Sequence, residues 1–280
     1  MKHALVFQSD FGYVDGAVSA MYGVAFGVDP TLNISNLTHD ITPYDIWEAS
    51  YRLIQTVNYW PAGTVFVSVV DPGVGTARRA SVAKLKNGCY VVTPDNGTLT
   101  HMFYRVGIEE IREIDETVNR LKGTEGTSIF HGRDLFAYCA ARLAAGVIDF
   151  EGVGPAYPVS EVIVHEKMFT PTVLPGCAEG VVTKALRHFG NVDTNISTDA
   201  FENNGFAFGD TVHVTISHKD TVHFDGNVLY HKSFGFAEEG SPIVYNGSTM
   251  YIGIALNQAN FATKYDIGDG EDWKVRISKV

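Results

Sequence analysis

The sequence predicts an α/β protein with a separate all-β part, and two observations support this. The first half alternates short apolar runs with stretches of helical spacing, the pattern of an α/β sheet. After about Pro175, short apolar runs follow one another between Gly and Asn turns, which is typical of a small barrel or sandwich. The chain has 280 residues, 45% of them hydrophobic, which is enough to bury a substantial core. We place the two domains at residues 1–170 and 171–280.

The elements of the first domain follow from local pattern. Residues 4–7 form an apolar run, helix 44–59 opens after Pro43, and helix 133–145 stops at Gly146. The run 64–70 is apolar and β-branched, as a strand covered on both faces would be. The full predicted order is strand 4–7, helix 16–27, strand 32–37, helix 44–59, strands 64–70, 81–85 and 90–93, and helix 133–145.

The second domain is predicted to be all-β, without a long helix. The segment 155–175 carries four prolines and is predicted to be the crossover between the domains. The strands predicted after it are 181–183, 191–196, 211–216, 243–245, 250–256 and 273–277.

The charge, the length of the apolar runs and the cysteine content of the chain disfavour several classes of binding partner. The 32 acidic residues against 21 Lys and Arg give a net charge of -11, which disfavours a nucleic acid partner because its phosphates need neutralising. The run 64–70 falls far short of the roughly 20 apolar residues that a membrane helix needs. The three cysteines are scattered and predict neither a disulfide framework nor a zinc site. We therefore expect a cytoplasmic protein without a membrane or nucleic acid partner.

Polar motifs follow the predicted strands, where α/β sheets bind ligands. The first is Ser9–Gly12 (SDFG), with Asp15 nearby. A carboxylate such as Asp10 at a strand end can accept both hydroxyls of a ribose. The alternative is an Asp that caps the following helix.

The second motif is Asp71–Arg79 (DPGVGTARR), directly after the most apolar strand. Its two glycines allow a sharp turn or a close approach to a ligand, and Asp71 and Arg78 could meet as an ion pair. A purely structural salt bridge that locks the loop is the alternative. A phosphate loop is excluded, since no Gly-Lys-Ser/Thr follows.

The third motif is Phe130–Asp134 (FHGRD), at the start of the last predicted helix. A helix N-terminus favours a neutral imidazole at His131, able to accept a proton. The alternative is a capping role for the His or the Asp. No His pair with carboxylates at ligand spacing is present in the sequence, so no metal site is predicted.

These three motifs, together with Pro94–Gly97 (PDNG), Phe189–Asn191 (FGN) and Asn257–Gln258, closely resemble the S-adenosylmethionine hydroxide adenosyltransferases. This family is related to the 5′-fluorinase and 5′-chlorinase enzymes. The similarity covers essentially the whole chain, and the DPGVGTxRR and FHGRD stretches are its specific part. It implies an N-terminal α/β sheet domain followed by a smaller C-terminal all-β barrel-like domain.

The resemblance also implies an activity and an assembly. The reaction splits S-adenosylmethionine into adenosine and L-methionine, as hydroxide derived from water attacks the ribose C5′, and no cofactor is needed. The family assembles as a homotrimer that binds substrate between the N-terminal domain of one subunit and the C-terminal domain of its neighbour. The implied catalytic residues are Asp71, Arg78 and His131. The implied substrate-binding residues are Asp10, Asp71, Phe189, Asn191, Ser248, Asn257 and Gln258, the last two meeting the adenine edge through backbone groups.

Two features separate this chain from its relatives. The halogenating enzymes have Tyr in place of Asp71 and Ser in place of Gly132, so a carboxylate that repels halide favours hydroxide here. The family also has an acid shortly before Phe-Gly-Asn, where this chain reads Ala185–Phe189 without one. Arg187 would repel a substrate ammonium group if it pointed inward, and Glu179 is a candidate for the missing charge.

Two other readings remain open. The chain could bind adenosine or S-adenosylmethionine without turnover, although binding alone does not need the Asp71, Arg78 and His131 set. The same three residues could also serve only to staple loops at a subunit interface.

Overall fold

Two sheets organise the chain, which divides into two units between His165 and Glu166. The computed structural model describes residues 2–186 and 188–280, with all their side chains except those of residues 167 and 169. The predicted fold class is confirmed: an N-terminal sheet with helices precedes a closed β-barrel.

The first unit is built on a mixed sheet of seven strands in the order β2-β1-β3-β5-β4-β6-β7. Strands β2, β1, β3 and β5 are parallel, and β4, β6 and β7 add an antiparallel edge. The strands are β1 (Leu5–Ser9), β2 (Ile34–Thr38), β3 (Val65–Val69), β4 (Ala80–Leu85), β5 (Tyr90–Pro94), β6 (Ile108–Glu113) and β7 (Ala156–Tyr157). The α-helices are α1 (Ala17–Val28), α2 (Ile46–Ile54), α3 (Glu116–Asn119) and α4 (Tyr138–Ala145).

Burial explains the parallel centre of this sheet. Every residue of β1 and of β3 is buried, as expected for strands covered on both faces. Alternate apolar residues of β1 and β3 pack with α1 and α4 on one face, whereas Val6 and Phe66 belong to a second core cluster. Because β1 and β3 are neighbours and parallel, their carboxyl ends meet at one edge of the sheet.

Two predicted helices are shorter or less regular than expected. The predicted helix 44–59 is α2 followed by a 3₁₀ turn at Val57–Tyr59, and the Asp45 side chain caps α2 by accepting from the backbone N–H of Glu48. The predicted helix 133–145 begins as a π-helical segment, Gly132–Ala137, which runs directly into α4. It ends at Gly146, as predicted, with the left-handed φ of 72° that glycine tolerates. A second π-helical segment spans Met102–Val106.

The second unit closes its sheet into a barrel. The strand order is β10-β14-β13-β12-β11-β15-β9, and a β9–β10 pairing joins the two ends, with β8 added outside β9. The strands are β8 (Thr172–Leu174), β9 (Cys177–Ala185), β10 (Val192–Ser197), β11 (Thr211–His218), β12 (Thr221–Tyr230), β13 (Pro242–Asn246), β14 (Tyr251–Leu256) and β15 (Trp273–Lys279). Two short helices, α5 (Thr198–Asn203) and α6 (Phe261–Lys264), accompany them.

Each predicted strand of this unit is present, and several are longer than expected. The sequence analysis missed β12, which contains Asp225-Gly226-Asn227, a typical turn signal. In the described part of the chain, no helix is long and apolar enough to cross a membrane.

Candidate active site

Asp10 and Asp71 come together because they follow neighbouring parallel strands. Asp10 succeeds Ser9, the last residue of β1, and Ser9 is in register with Val69 at the end of β3. Asp71 follows two residues after Val69. Two carboxylates therefore stand at the carboxyl edge of the sheet, the position expected for a ligand site.

The loop after β3 folds back so that Arg78 meets Asp71. Arg78 Nε lies 3.1 Å from Asp71 Oδ1 and 3.0 Å from Oδ2, and Nη2 lies 2.5 Å from Oδ2. Both side chains are largely buried. Gly75 has a φ of 76°, and a Cβ at this position would lie 2.9 Å from the carbonyl oxygen of Ser128. The turn therefore requires glycine, and the predicted ion pair is confirmed.

His131 joins this pair from the start of the π-helical segment. Its Nδ1 lies 2.9 Å from Arg78 Nη2, and its side chain is buried. Burial first, and then the positive charge of Arg78, lower the pKa of His131 below its usual value. The structure thus brings together the three residues Asp71, Arg78 and His131, with a neutral imidazole.

A cavity of about 350 Å³ opens beside these residues. Its lining combines three of the predicted polar residues with aromatic side chains: Asp10, Asp71, His131, Phe11, Tyr44 and Phe130. Phe11 and Phe130 contact each other edge to face, with ring centroids 5.7 Å apart. Carboxylates and aromatic rings therefore line the same cavity.

Asp10 is held by a backbone amide and is poorly solvated. The N–H of Tyr44 donates to its Oδ2 at 2.9 Å. Burial is the main cause of a raised Asp10 pKa, and the negative charge of Asp71 adds to it. Tyr44 has a φ of 69°, in the left-handed region that non-glycine residues rarely adopt. The backbone at Tyr44 is thus bent in the conformation that delivers its N–H to Asp10.

The second unit has a cavity of its own, of about 700 Å³. Four of the predicted substrate-binding residues line it, together with Phe234: Phe189, Asn191, Asn257 and Gln258. The backbone N–H of Asn257 donates to Ser241 and its carbonyl accepts from Gly240. The next residue, Gln258, has a φ of 57°, in the left-handed region.

Ser248 lies apart from these four residues. It is exposed in the turn between β13 and β14, at the opposite end of β14 from Asn257. Glu179, proposed as a replacement acid, lies opposite Arg276 of β15 and pairs with it at 2.5 Å. Glu179 is thus engaged elsewhere on the barrel. Arg187, expected to repel an ammonium group if it pointed inward, lies outside the described residues.

Tyr245 lies near Asn191, one of the residues that line the second cavity. Burial, and then the negative charge of Asp193, raise the pKa of Tyr245, while the nearby Asn191 side chain opposes this rise. The Tyr245 ring lies over Gly253, where a Cβ would come within 2.6 Å of Cζ. Asp193 is itself buried.

Several of these residues were missed from the sequence alone. Tyr44 and Tyr245 occur in no motif singled out by spacing, and their roles depend on backbone bending and on packing across strands. The unusual Thr42-Pro43 entry into α2 is the only local signal for Tyr44. Among residues 2–186 and 188–280, no three His, Cys, Asp or Glu side chains are grouped to hold a metal ion.

Comparison with protein families identifies the class. Residues 5–154 match the N-terminal domain of the SAM hydroxide adenosyltransferases, and residues 186–274 match the C-terminal domain of the same family. The chain therefore belongs to the SAM hydroxide adenosyltransferase family.

Individual relatives cover almost the whole chain. The chain is 34% identical over 272 residues to (R)-S-adenosyl-L-methionine hydrolase of Salinispora tropica, covering 96% of each protein. It is 27% identical over 289 residues to the fluorinase of an Actinoplanes species, covering 95% of each. The crystal structure of an uncharacterized conserved protein from Thermotoga maritima aligns with a TM-score of 0.87 at 33% identity, covering 98% of this chain and all of the other.

Proposed function

We propose that the chain hydrolyses S-adenosylmethionine to adenosine and L-methionine. The observation that carries the proposal is that Asp71 and His131 line the same cavity as Asp10 and are joined by the buried Arg78. Family membership supports the substrate, and the curated relatives named as hydrolases support the reaction.

The chemistry suits these side chains. Water oxygen forms a bond to the ribose C5′ while the C5′–S bond breaks, and the bonding pair leaves with sulfur as a neutral thioether. The leaving group therefore needs no acid. The remaining task is to stabilise the developing hydroxide, for which the Arg78 charge in a shielded site is suited.

Asp10 is the residue proposed to hold the ribose. Its carboxylate lines the cavity and retains acceptor capacity beyond the Tyr44 bond, because an ionised carboxylate has about four lone-pair sites. Fixing the sugar would hold C5′ in line with the water, and such positioning can lower a barrier by several kcal/mol.

Water is favoured over halide by the surroundings of Gly132. A Cβ at this position would lie 3.2 Å from two atoms of the Phe11 ring and 3.3 Å from Val69 Cγ1. The space where the halogenating relatives carry a serine is thus filled by an aromatic ring. The Asp71 carboxylate on the same cavity would repel a halide ion.

We also propose that the substrate site is completed between copies of the chain. Each unit carries its own cavity with only part of the implied substrate residues, Asp10 and Asp71 in the first and Phe189, Asn191, Asn257 and Gln258 in the second. A homotrimer would bring the first-unit cavity of one copy against the second-unit cavity of the next. Light scattering of the purified protein tests this, and a monomer that retains full activity would contradict it.

The deciding experiment follows the products. The protein is incubated in ¹⁸O-water with each sulfonium epimer of S-adenosylmethionine separately, since the relatives' name specifies the (R) form, with and without chloride. Equimolar adenosine and methionine, with the label in adenosine, support the proposal. 5′-Chloro-5′-deoxyadenosine would favour the halogenating class, and tightly retained, unchanged ligand would favour a binding protein.

A further inference from the structure

The hydrogen bond between Arg78 and His131 fixes the imidazole tautomer. Arg78 Nη2 and His131 Nδ1 are 2.9 Å apart. A guanidinium group has donors and no acceptor, and it stays protonated in proteins. Arg78 therefore donates, and Nδ1 accepts through its lone pair. The ring proton of a neutral His131 must then reside on Nε2.

The other ring nitrogen, Nε2, carries the proton and therefore has no lone pair with which to accept another. His131 is 4% exposed, and Nε2 is enclosed without a hydrogen-bond partner among the described residues. Charged groups around the ring are Arg78 and Arg120, which disfavour a second proton, and Glu116 and Asp71, which favour one. Burial and the two arginines together outweigh the two carboxylates, so the pKa of His131 lies below its usual value and the neutral ring is favoured near pH 7. Its single lone pair is already committed to Arg78.

We propose that His131 is a positioning residue that holds Arg78 as a neutral acceptor, and that Asp71 takes the proton from the attacking water. This inference rests on the proposed hydrolysis. The O–C5′ bond forms, the C5′–S bond breaks with its electron pair on sulfur, and the surplus proton passes to Asp71 Oδ1. That oxygen shares the Nε–H of Arg78 with Oδ2, whereas Oδ2 also receives the Nη2–H at 2.5 Å.

A weak base is sufficient for this role. As the oxygen bonds to C5′, its proton becomes more acidic, so a carboxylate paired with arginine can accept it in the same step, before positive charge builds up on the oxygen beside Arg78. Protonation of His131 would instead place a cation against Arg78 and break the bond that fixes the guanidinium. The imidazole therefore has to remain neutral throughout.

Two substitutions of His131 distinguish a hydrogen-bond acceptor from a general base. His131→Asn keeps an oxygen near the Nδ1 position for Arg78 but cannot take a proton at neutral pH, whereas His131→Leu removes the acceptor and retains bulk. We expect His131→Asn to keep kcat within about tenfold and His131→Leu to lose about a hundredfold or more, the scale of one acid–base or electrostatic contribution. The acidic limb of the kcat profile that arises from His131 should vanish in His131→Asn.

One result with these variants would contradict the proposal. If His131→Asn matches the thermal stability and substrate KM of the parent protein but is as slow as His131→Leu, then His131 is the base and the proposal fails.

Nitrogen NMR of ring-labelled histidine gives a readout that does not depend on turnover, with the His131 signals assigned by their loss in His131→Asn. A proton on Nε2 alone is expected, and an Nδ1–H tautomer or an imidazolium near pH 7 would overturn the proposal. An inactive parent protein with the expected tautomer would instead locate the failure in the proposed hydrolysis.

Discussion

The ring of Phe11 occupies the space into which a side chain at Gly132 would project. Phe11 Cε2 and Cζ and Val69 Cγ1 all lie within 3.3 Å of the position that a Cβ would take. Phe11 follows directly after Asp10, and Gly132 follows His131. This contact thus joins the residue that follows Asp10 to the residue that follows His131 in the lining of the cavity.

Gly132→Ser is therefore expected to impair the protein. Overpacking at this contact should cost about 1–3 kcal/mol of unfolding free energy and lower kcat/KM for S-adenosylmethionine. Adding Phe11→Leu should restore part of the stability, because the smaller side chain leaves room for the serine. Thermal melts and turnover assays measure both effects. Gly126→Ala is the control, since a Cβ there meets nothing within 4 Å, and an equal loss in that variant would refute the steric argument.

Arg78 and Arg79 are adjacent but differ in their surroundings. Arg78 is buried against Asp71 and His131, whereas Arg79 forms a surface pair with Glu161 at 2.7 Å. Arg78→Ala should lower kcat by about a hundredfold or more, the scale of one lost electrostatic contribution, with a smaller change in KM. Arg79→Ala should leave kcat unchanged. Intact activity together with a destabilised assembly in Arg78→Ala would support the loop-staple reading instead.

Asp71→Asn should also be slow, because the amide cannot accept the proton of water. The expected loss in kcat is about a hundredfold or more, with a modest change in KM. Steady-state kinetics separate the two parameters. A loss confined to KM would mean that Asp71 only binds substrate.

Asp10 should make stability depend on pH. Its folded-state pKa is raised by burial above the unfolded value of about 3.9. The ionised group therefore destabilises the fold above the raised pKa, and this cost disappears as the pH falls below the unfolded value. Asp10→Asn should then melt higher than the parent at pH 7, with a gain that shrinks toward acid, while its KM for substrate rises. A gain that is constant across this range would rule out ionisation as the cause.

His39 should have the opposite effect to Asp10: it should make the fold less stable as the pH falls. Burial lowers its pKa to about 4, while the unfolded chain has a value of about 6.5. Between these two values the unfolded state binds a proton that the folded state does not, so the fold should lose stability as the pH falls from 6.5 to 4. Urea unfolding at several pH values measures the slope. His39→Gln should flatten it, although it loses the bond between Nδ1 and Ser9 Oγ at 2.7 Å.

The wall of the second cavity offers a test that is specific for binding. Tyr245→Phe removes the hydroxyl that lies close to the Asn191 side chain, a polar contact worth up to about 1 kcal/mol. The expected result is a severalfold higher KM with unchanged kcat, because Asn191 is proposed to bind substrate and not to activate water. Tyr59→Phe, at an exposed position, is the control and should change neither parameter.

Local sequence pattern predicted the elements whose burial is regular. The strand 64–70 and the stop at Gly146 follow from β-branched apolar residues and from glycine chemistry, and both are present. Strand β12 was not predicted because its central Asp-Gly-Asn is typical of a turn. In the barrel, however, β12 pairs with β11 from Thr221 to Leu229 with only one irregularity. Pairing across strands thus overrode the local preference.

One contact of the candidate site, the Asp71–Arg78 ion pair, could be predicted because a single motif contains both residues. Asp71 and Arg78 lie in one short loop with two glycines, so their ion pair follows from the sequence. The direction of the Arg78–His131 bond required coordinates, because the two residues are 53 positions apart. The same holds for Tyr44, whose contribution is a backbone N–H presented by a left-handed residue.

The place of β15 in the barrel has a consequence for synthesis of the chain. This strand, Trp273–Lys279, inserts between β11 and β9. Until the ribosome has released it, two long strands keep open edges, which are templates for pairing with other chains. The first unit can be completed much earlier, because its own strands end at Tyr157. A nascent chain that stalls before Trp273 would therefore expose a finished sheet unit joined to an unclosed, aggregation-prone barrel.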